Sequence, residues 1–321
     1  MTKKIFCIGG AALDRKLQTF QPLTHNTSNP ASTSAHFGGV ARNVAENLAN
    51  WASNIYLHTV VGEDDDGVQM LSSIKQKGVD ITHSIILKGA RTANYYAVLD
   101  HMGELYLSLA DMAIFDQVPV SRFTQGFNVW DADSTLFMDT NLNEEILQTA
   151  ITMAQEKNIR LCVDPVSAIK AKKLSGHLNG IYLLKPNPME ASVLADISIE
   201  TIDDALRAGQ ILLKKGVENV VITLGKAGYV ITNNEMNEYI GIEAIHDVMN
   251  VNGAGDAFMA GIIYGIQQAF PLTEACLWGA AAAAFTVSSP DTVAANLTLS
   301  QLQSFIHNQK FITEQQHASI F

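Results

Sequence analysis

Short apolar runs alternate with amphipathic stretches along most of this chain, and that alternation narrows the fold before any motif is read. The runs lie at 5–8, 55–61, 135–138, 161–163, 181–184 and 220–223. A strand buried on both faces reads as a continuous apolar run, because both of its side-chain rows meet a core. Between the runs, apolar residues recur at helical spacing over 68–77, 144–157 and 202–215. Strands alternating with helices predict an α/β fold with a mainly parallel sheet flanked by helices. The chain then ends in three helical patterns, 255–269, 272–287 and 299–307. The Ala-rich stretch 279–287 is too short to span a membrane and reads as a helix packed closely on another element.

Two segments break the alternation. Residues 13–37 are polar and irregular, and residues 90–112 read as a hairpin with strands at 93–99 and 104–109 around Asp100-His101-Met102-Gly103. A two-stranded ribbon is marginal alone, so both segments are predicted to join in one small β-sheet. The expected division is a core of 1–12, 38–89 and 113–321 with a small sheet of 13–37 and 90–112. Tyr96, Leu105 and Leu107 would be apolar and exposed there, a surface where a second subunit could dock.

A chain of 321 residues, 47% of them apolar, can bury a large core. Its formal net charge of −11 argues against binding the phosphate backbone of nucleic acid. Lys3-Lys4 before the first apolar run imitates a signal peptide, but Asp14 and Arg15 arrive before an apolar region is complete. A cytoplasmic protein with no membrane partner is expected. Cys7, Cys162 and Cys276 form no CxxC and read as buried small hydrophobes. The nine histidines show no metal-ligand spacing, and no G-x-S-x-G supports Ser/His/Asp catalysis.

The chemistry concentrates in Asn250-Val251-Asn252-Gly253-Ala254-Gly255-Asp256, at the start of a predicted helix. A helix N-terminus offers unpaired N–H donors and partial positive charge, which suit a phosphate. An aspartate there would repel that phosphate unless it takes a proton from an attacking hydroxyl. The plain alternative is an Asp that only stabilises the helix start. No strand precedes these glycines as a Rossmann fingerprint requires, and no Lys follows Gly255 as a Walker A loop requires. A second Gly-rich helix start, Phe37-Gly38-Gly39-Val40-Ala41-Arg42-Asn43, carries Val40, Val44, Leu48 and Trp51 as an apolar stripe. Two such starts far apart in the chain suggest a two-substrate cleft.

These stretches resemble the two signatures of the ribokinase-like (PfkB-type) carbohydrate kinases, G-G-x-x-x-N and D-T-x-G-A-G-D. The resemblance spans nearly the whole chain, including Gly9, Gly10 and Asp14, Asn187-Pro188-Met189-Glu190, and Thr223-Leu224-Gly225-Lys226-Ala227-Gly228. It implies a ribokinase-like fold with the small sheet as a lid, ATP as co-substrate, Mg²⁺, and a nucleoside or sugar as acceptor. Asp256 is then the general base, with Gly253, Ala254 and Gly255 as the anion hole. Asp14, Gly38, Gly39 and Asn43 would bind the acceptor; Asn187, Thr223, Gly225 and Gly228 would bind nucleotide. Glu190 would approach Mg²⁺ through water, although Asn187 and Glu190 at this spacing also suit a helix cap. Lys185 would steer a phosphate or stand as a solvated lysine. Gly228 would admit nucleotide or make a tight turn. Asp139, Asn141 and Asp164 close strands at the same edge with roles left open. Asp139-Thr140-Asn141-Leu142, Val163-Asp164-Pro165-Val166-Ser167-Ala168, Leu184-Lys185-Pro186-Asn187 and Val248-Met249-Asn250-Val251-Asn252-Gly253-Ala254-Gly255-Asp256 resemble the members of the family that act on pseudouridine, and that resemblance implies pseudouridine, phosphorylated at its 5′-hydroxyl, as acceptor. Adenosine, ribose and fructose are the alternatives.

Asn250 and Asn252 depart from the signature, which usually has Asp and a Thr-like residue there. Relatives place a monovalent cation near this loop, so the lost carboxylate weakens any expectation of K⁺. A non-catalytic sugar sensor would have no need of Asp256 or Glu190. A dinucleotide oxidoreductase would need a Gly-rich fingerprint after the first strand, which is absent.

Overall fold

A computed structural model describes residues 3–242, 245 and 247–308, with the backbone of 311–312. The expected core therefore reaches outside the described residues at 1–2, 243–244, 246, 309–310 and 313–321. In chain order the strands are β1 (Ile5–Ile8), β2 (Ala12–Thr19), β3 (Ala31–Gly38), β4 (Ile55–His58), β5 (Val60–Gly62), β6 (Ile85–Leu87), β7 (Asn94–Leu99), β8 (Leu105–Asp111), β9 (Thr135–Asp139), β10 (Arg160–Asp164), β11 (Leu183–Leu184), β12 (Asn219–Thr223), β13 (Tyr229–Thr232), β14 (Asn237–Ile242) and β15 (Phe311–Ile312).

A large mixed sheet runs β15-β14-β13-β12-β11-β10-β9-β1-β4. From β4 to β12 every pairing is parallel; β13, β14 and β15 extend the sheet antiparallel. Alternate residues of each strand feed two cores, as the period of two demands. Phe6, Ile8, Leu136, Met138, Leu161 and Val163 pack under the helices Glu144–Glu156, Pro188–Ala195 and Ile202–Lys214. Ile5, Cys7, Phe137, Cys162 and Val221 pack under the helices Val40–Ala49, Ala254–Gln267 and Leu272–Val287. All three cysteines are buried thiols. The Ala-rich run lies in the last of these helices, which meets its neighbour so closely that a Cβ on Gly279 would stand 2.6 Å from the Phe258 carbonyl.

A separate sheet of order β3-β2-β7-β8 stands over the carboxyl edge of the large one. Residues 13–37 are thus mostly regular, contrary to the irregular segment expected: β2 and β3 form an antiparallel pair from Ala12↔Gly38 to Thr19↔Ala31. Neither strand buries a full apolar face, so no alternation marks them. Their regularity comes from the backbone ladder, which β2 extends by pairing in parallel with β7. The run 55–61 also differs, splitting at Thr59, whose hydroxyl donates to the Gly9 carbonyl at 2.6 Å. β5 then leaves the large sheet and pairs with β6. Among the described residues no helix is long and apolar enough to cross a membrane.

Candidate active site

The carboxyl ends of the parallel strands bring polar residues to one edge, where α/β folds bind ligands. Asp139 closes β9 and is completely buried. It accepts from the backbone N–H of Gly10 (2.8 Å), Ala41 (2.9 Å) and Asn141 (2.9 Å), and from Asn141 Nδ2 (2.9 Å). Burial pushes its pKa up while these donors favour the carboxylate. Asp139 therefore clamps the start of the helix Val40–Ala49 to the end of β1.

The two Gly-rich helix starts differ. Both begin on a glycine with positive φ, +99° at Gly39 and +80° at Gly253, where any side chain would be strained. A Cβ on Gly39 would stand 2.5 Å from the Gly10 carbonyl, and one on Gly253 would stand 2.0 Å from that of Thr292. The first helix commits its early amides to the protein: Ala41 to Asp139, Arg42 to Gly10. The second has no side-chain cap, and Asp256 in its first turn does not supply one. Asp256 Oδ2 instead accepts from Asn43 Nδ2 at 2.8 Å, joining the two motifs across 213 positions of sequence.

Lys185 follows β11 and is 4% exposed, which removes the solvated-lysine alternative. Its Nζ lies 2.8 Å from Asp164 Oδ2, and a Cβ on Gly255 would stand 3.5 Å from it. Burial opposes its charge, but Asp164, Glu190 and Asp256 hold the ammonium above its usual range. Burial and then the charge of Asp164 push Asp256 up to about 7, against the Asn43 bond and Lys185. The same two causes push Glu190 up to about 7, against the Asn187 N–H and Lys185. Glu190 and Asn187 form a reciprocal capping box: Glu190 oxygens accept from Asn187 N (2.9 Å) and Nδ2 (2.8 Å), and Asn187 Oδ1 accepts from Glu190 N (3.0 Å). Among the described residues no group of three or more His, Cys, Asp or Glu could hold a metal directly. Three carboxylates around one ammonium nevertheless leave negative charge that a hydrated cation would offset.

A cleft of about 770 Å³ lies between this edge and the smaller sheet. Asp14, Gly39, Asn43, Gly253 and Asp256 all line it. Burial pushes Asp14 up to about 6, against Arg42, Lys16 and His36. Gly38 stands beside it; a Cβ there would be 2.1 Å from Asp14 Oδ2. Residues 2–299 match the pfkB family carbohydrate kinase. The chain belongs to the pfkB family. It is a phosphotransferase acting on a hydroxyl group. It is 29% identical to the pseudouridine kinase of Escherichia coli, over 95% of this chain and 96% of that protein. A putative sugar kinase from Clostridium perfringens superposes with a TM-score of 0.84 at 26% identity, covering 99% of both chains. An Arabidopsis thaliana ribokinase in complex with ribose and ATP shares the fold, with a TM-score of 0.81 at 17% identity over 95% of this chain and 99% of that one.

The nucleotide residues read from the pfkB resemblance are arranged differently. Lys185, Asn187, Thr223, Gly225 and Gly228 do not line the cleft. Thr223 N donates to the Pro186 carbonyl at 3.0 Å, tying the end of β12 to the segment after β11. A Cβ on Gly228 would stand 2.1 Å from the Ile240 carbonyl, so that glycine answers to packing against β14. Gly225 faces open space. Sequence reasoning passed over other residues of the cleft, among them Lys170, His36 and Tyr95, and quoted Val166 with no role of its own. Lys170 donates to Asn141 Oδ1. Val166 sits at φ +65°, held by its N–H to Asp164 Oδ1 (2.8 Å), a conformation no valine advertises. In the loop before Gly253, Asn250 Oδ1 accepts from Asn252 N (3.0 Å) and its Nδ2 donates to Pro290 O (3.1 Å).

Proposed function

We propose that this pfkB-family kinase transfers the γ-phosphoryl group of ATP to the 5′-hydroxyl of pseudouridine, with Asp256 as general base. The observation that carries the chemistry is Asp256 lining the cleft at the mouth of an uncapped helix, held by Asn43 rather than by its own helix. A carboxyl pushed up to about 7 is matched to accepting a hydroxyl proton near neutral pH. Gly253, Ala254 and Gly255 are assigned the anion hole for the transferred phosphoryl, with the Ala254 N–H shared with the Val251 carbonyl at 3.4 Å, and buried Lys185 adds a positive charge beside them. Asp14 accepts from ribose hydroxyls, while Gly38 and Gly39 let the acceptor approach the backbone.

On the donor side, Asn187, Thr223, Gly225 and Gly228 are assigned to the nucleotide. Mg²⁺ would be held through water by Glu190, and when bound it neutralises phosphate oxygens. The fit rests on the excess of Asp164, Glu190 and Asp256 over Lys185. The proposal needs no K⁺, since Asn250 replaces a carboxylate and its amide already braces the loop. The lid comprises 13–37 and 90–112 and closes over the acceptor, excluding water that would compete for the phosphoryl group. Its outer strand β8 exposes Leu105, Tyr106, Leu107 and Leu109, and a homodimer would cover that surface. The cytoplasm, where ATP is plentiful, is the assigned compartment.

The choice of pseudouridine follows the likeness to the E. coli enzyme. Incubation of nucleosides and free sugars with ATP and Mg²⁺, read by mass, tests it. Pseudouridine should gain one phosphate fastest. Faster product from adenosine, ribose or fructose would replace the acceptor and leave the kinase chemistry standing.

A further inference from the structure

Asn43 can hold Asp256 only in one of its two amide orientations. Asn43 Nδ2 faces Asp256 Oδ2, and Asn43 Oδ1 accepts from Arg42 Nη1 at 2.9 Å. A flipped amide would set NH₂ against a guanidinium that only donates and oxygen against a carboxylate that only accepts. Arg42 therefore dictates which end of the amide meets Asp256. Its own planar fork is fixed: Nη1 also donates to the Phe37 carbonyl at 2.7 Å, and Nη2 pairs with Glu46, one helical turn on. Both residues are buried, Arg42 at 5% and Glu46 at 9% exposed. Lys77 Nζ approaches the other Glu46 oxygen at 3.6 Å from the solvent side. The helix backbone below adds rigidity, with Asn43 N donating to Gly39 O at 2.8 Å and Asn47 Nδ2 to Asn43 O at 2.9 Å.

We infer that the buried Arg42–Glu46 pair is a positioning device, which locks the Asn43 amide so that it donates to the base Asp256. It rests on Asp256 being the base. A lysine at 42 keeps the charge but cannot reach Phe37, Asn43 and Glu46 together from one planar fork. A glutamine at 46 keeps the shape but removes the charge that anchors the fork. Arg42 and Glu46 thus act through Asn43, and a purely structural ion pair would not.

The test is a double-mutant cycle on the full chain, with ATP, Mg²⁺ and pseudouridine, and ribose assayed in parallel. Arg42→Lys and Glu46→Gln are each made alone and on Asn43→Ala, with thermal melts for folding and Asp256→Asn in the same series. Arg42→Lys should lower kcat by roughly 10-fold, the scale of one lost buried hydrogen bond, with a smaller change in acceptor KM. On Asn43→Ala the same change should alter kcat by less than about 2-fold, because residues acting through one group are not additive. Should Arg42→Lys fail to fold, Glu46→Gln carries the same comparison. Losses that multiply with that of Asn43→Ala, or a lowered melting temperature with kcat intact, would overturn the inference. A near wild-type Asp256→Asn would instead overturn the base assignment.

Discussion

The half of this site assigned to the acceptor and the half assigned to the donor are built on opposite plans. In the acceptor half, Asp14, Asn43 and Asp256 converge on one cleft, and Asn43 bonds Asp256 across 213 positions of the chain. In the donor half, motif residues are occupied with one another: Asn187 with Glu190, Thr223 with Pro186, Gly228 against Ile240. The acceptor half is thus held together by bonds between its own motif residues. The donor half is satisfied as structure, and a ligand there must share groups that also hold the fold. Variants in the first half should lose turnover with little loss of stability, and variants in the second should lose both.

The largest effect expected is at Asp256. Asp256→Asn preserves shape and should lower kcat by roughly 10²–10⁴-fold, the range for general-base catalysis, with a melting temperature near that of the parent. A variant that loses stability as well would erase the contrast between the halves. Next is acceptor choice. Pseudouridine presents a ring N1–H at the edge of the base where uridine has C5–H. One buried partner left unpaired, about 1–3 kcal/mol, predicts roughly a 5- to 150-fold preference in kcat/KM. Equal efficiency on both nucleosides would mean that the cleft does not read that edge. Glu190→Gln should shift the Mg²⁺ dependence of the rate to higher concentration. Asn187→Ala removes the N-cap partner of Glu190 and should cost about 0.5–2 kcal/mol of stability, read by denaturant melts. An unchanged melt in Asn187→Ala would show a freer donor half than the geometry describes. The smallest effect is in the lid: amide exchange over 13–37 and 90–112 should slow with saturating pseudouridine, and unchanged exchange would contradict closure.

What could be read from sequence follows from how local each cause is. The strands at 5–8, 135–138 and 220–223 were legible because burial on both faces writes itself as an apolar run. β2 and β3 were not, since their pairing rests on backbone ladders beneath polar side chains. The break at Thr59 was hidden because the run stays largely apolar through it. Gly253 to Asp256 stood out because glycines at a helix start are a local signal. The clamp by Asp139 was not legible, because its partners Gly10 and Ala41 lie far away in the chain. Arg42 sat inside a motif already singled out, yet its role depends on Glu46 and Asn43 together, which a linear reading does not bring into one geometry.

The central claim is that a desolvated Asp256 is the base, and the pH dependence of kcat/KM for the acceptor at saturating MgATP tests it most directly. Only the carboxylate can take the proton, so the rate should rise with pH to a plateau through about 7, where burial and Asp164 place the group. In Asp256→Asn that limb should vanish along with most of the rate. A limb unchanged in Asp256→Asn would belong to the nucleotide or another residue. That result, or a wild-type limb at the ordinary carboxylate range of about 4, would contradict the account.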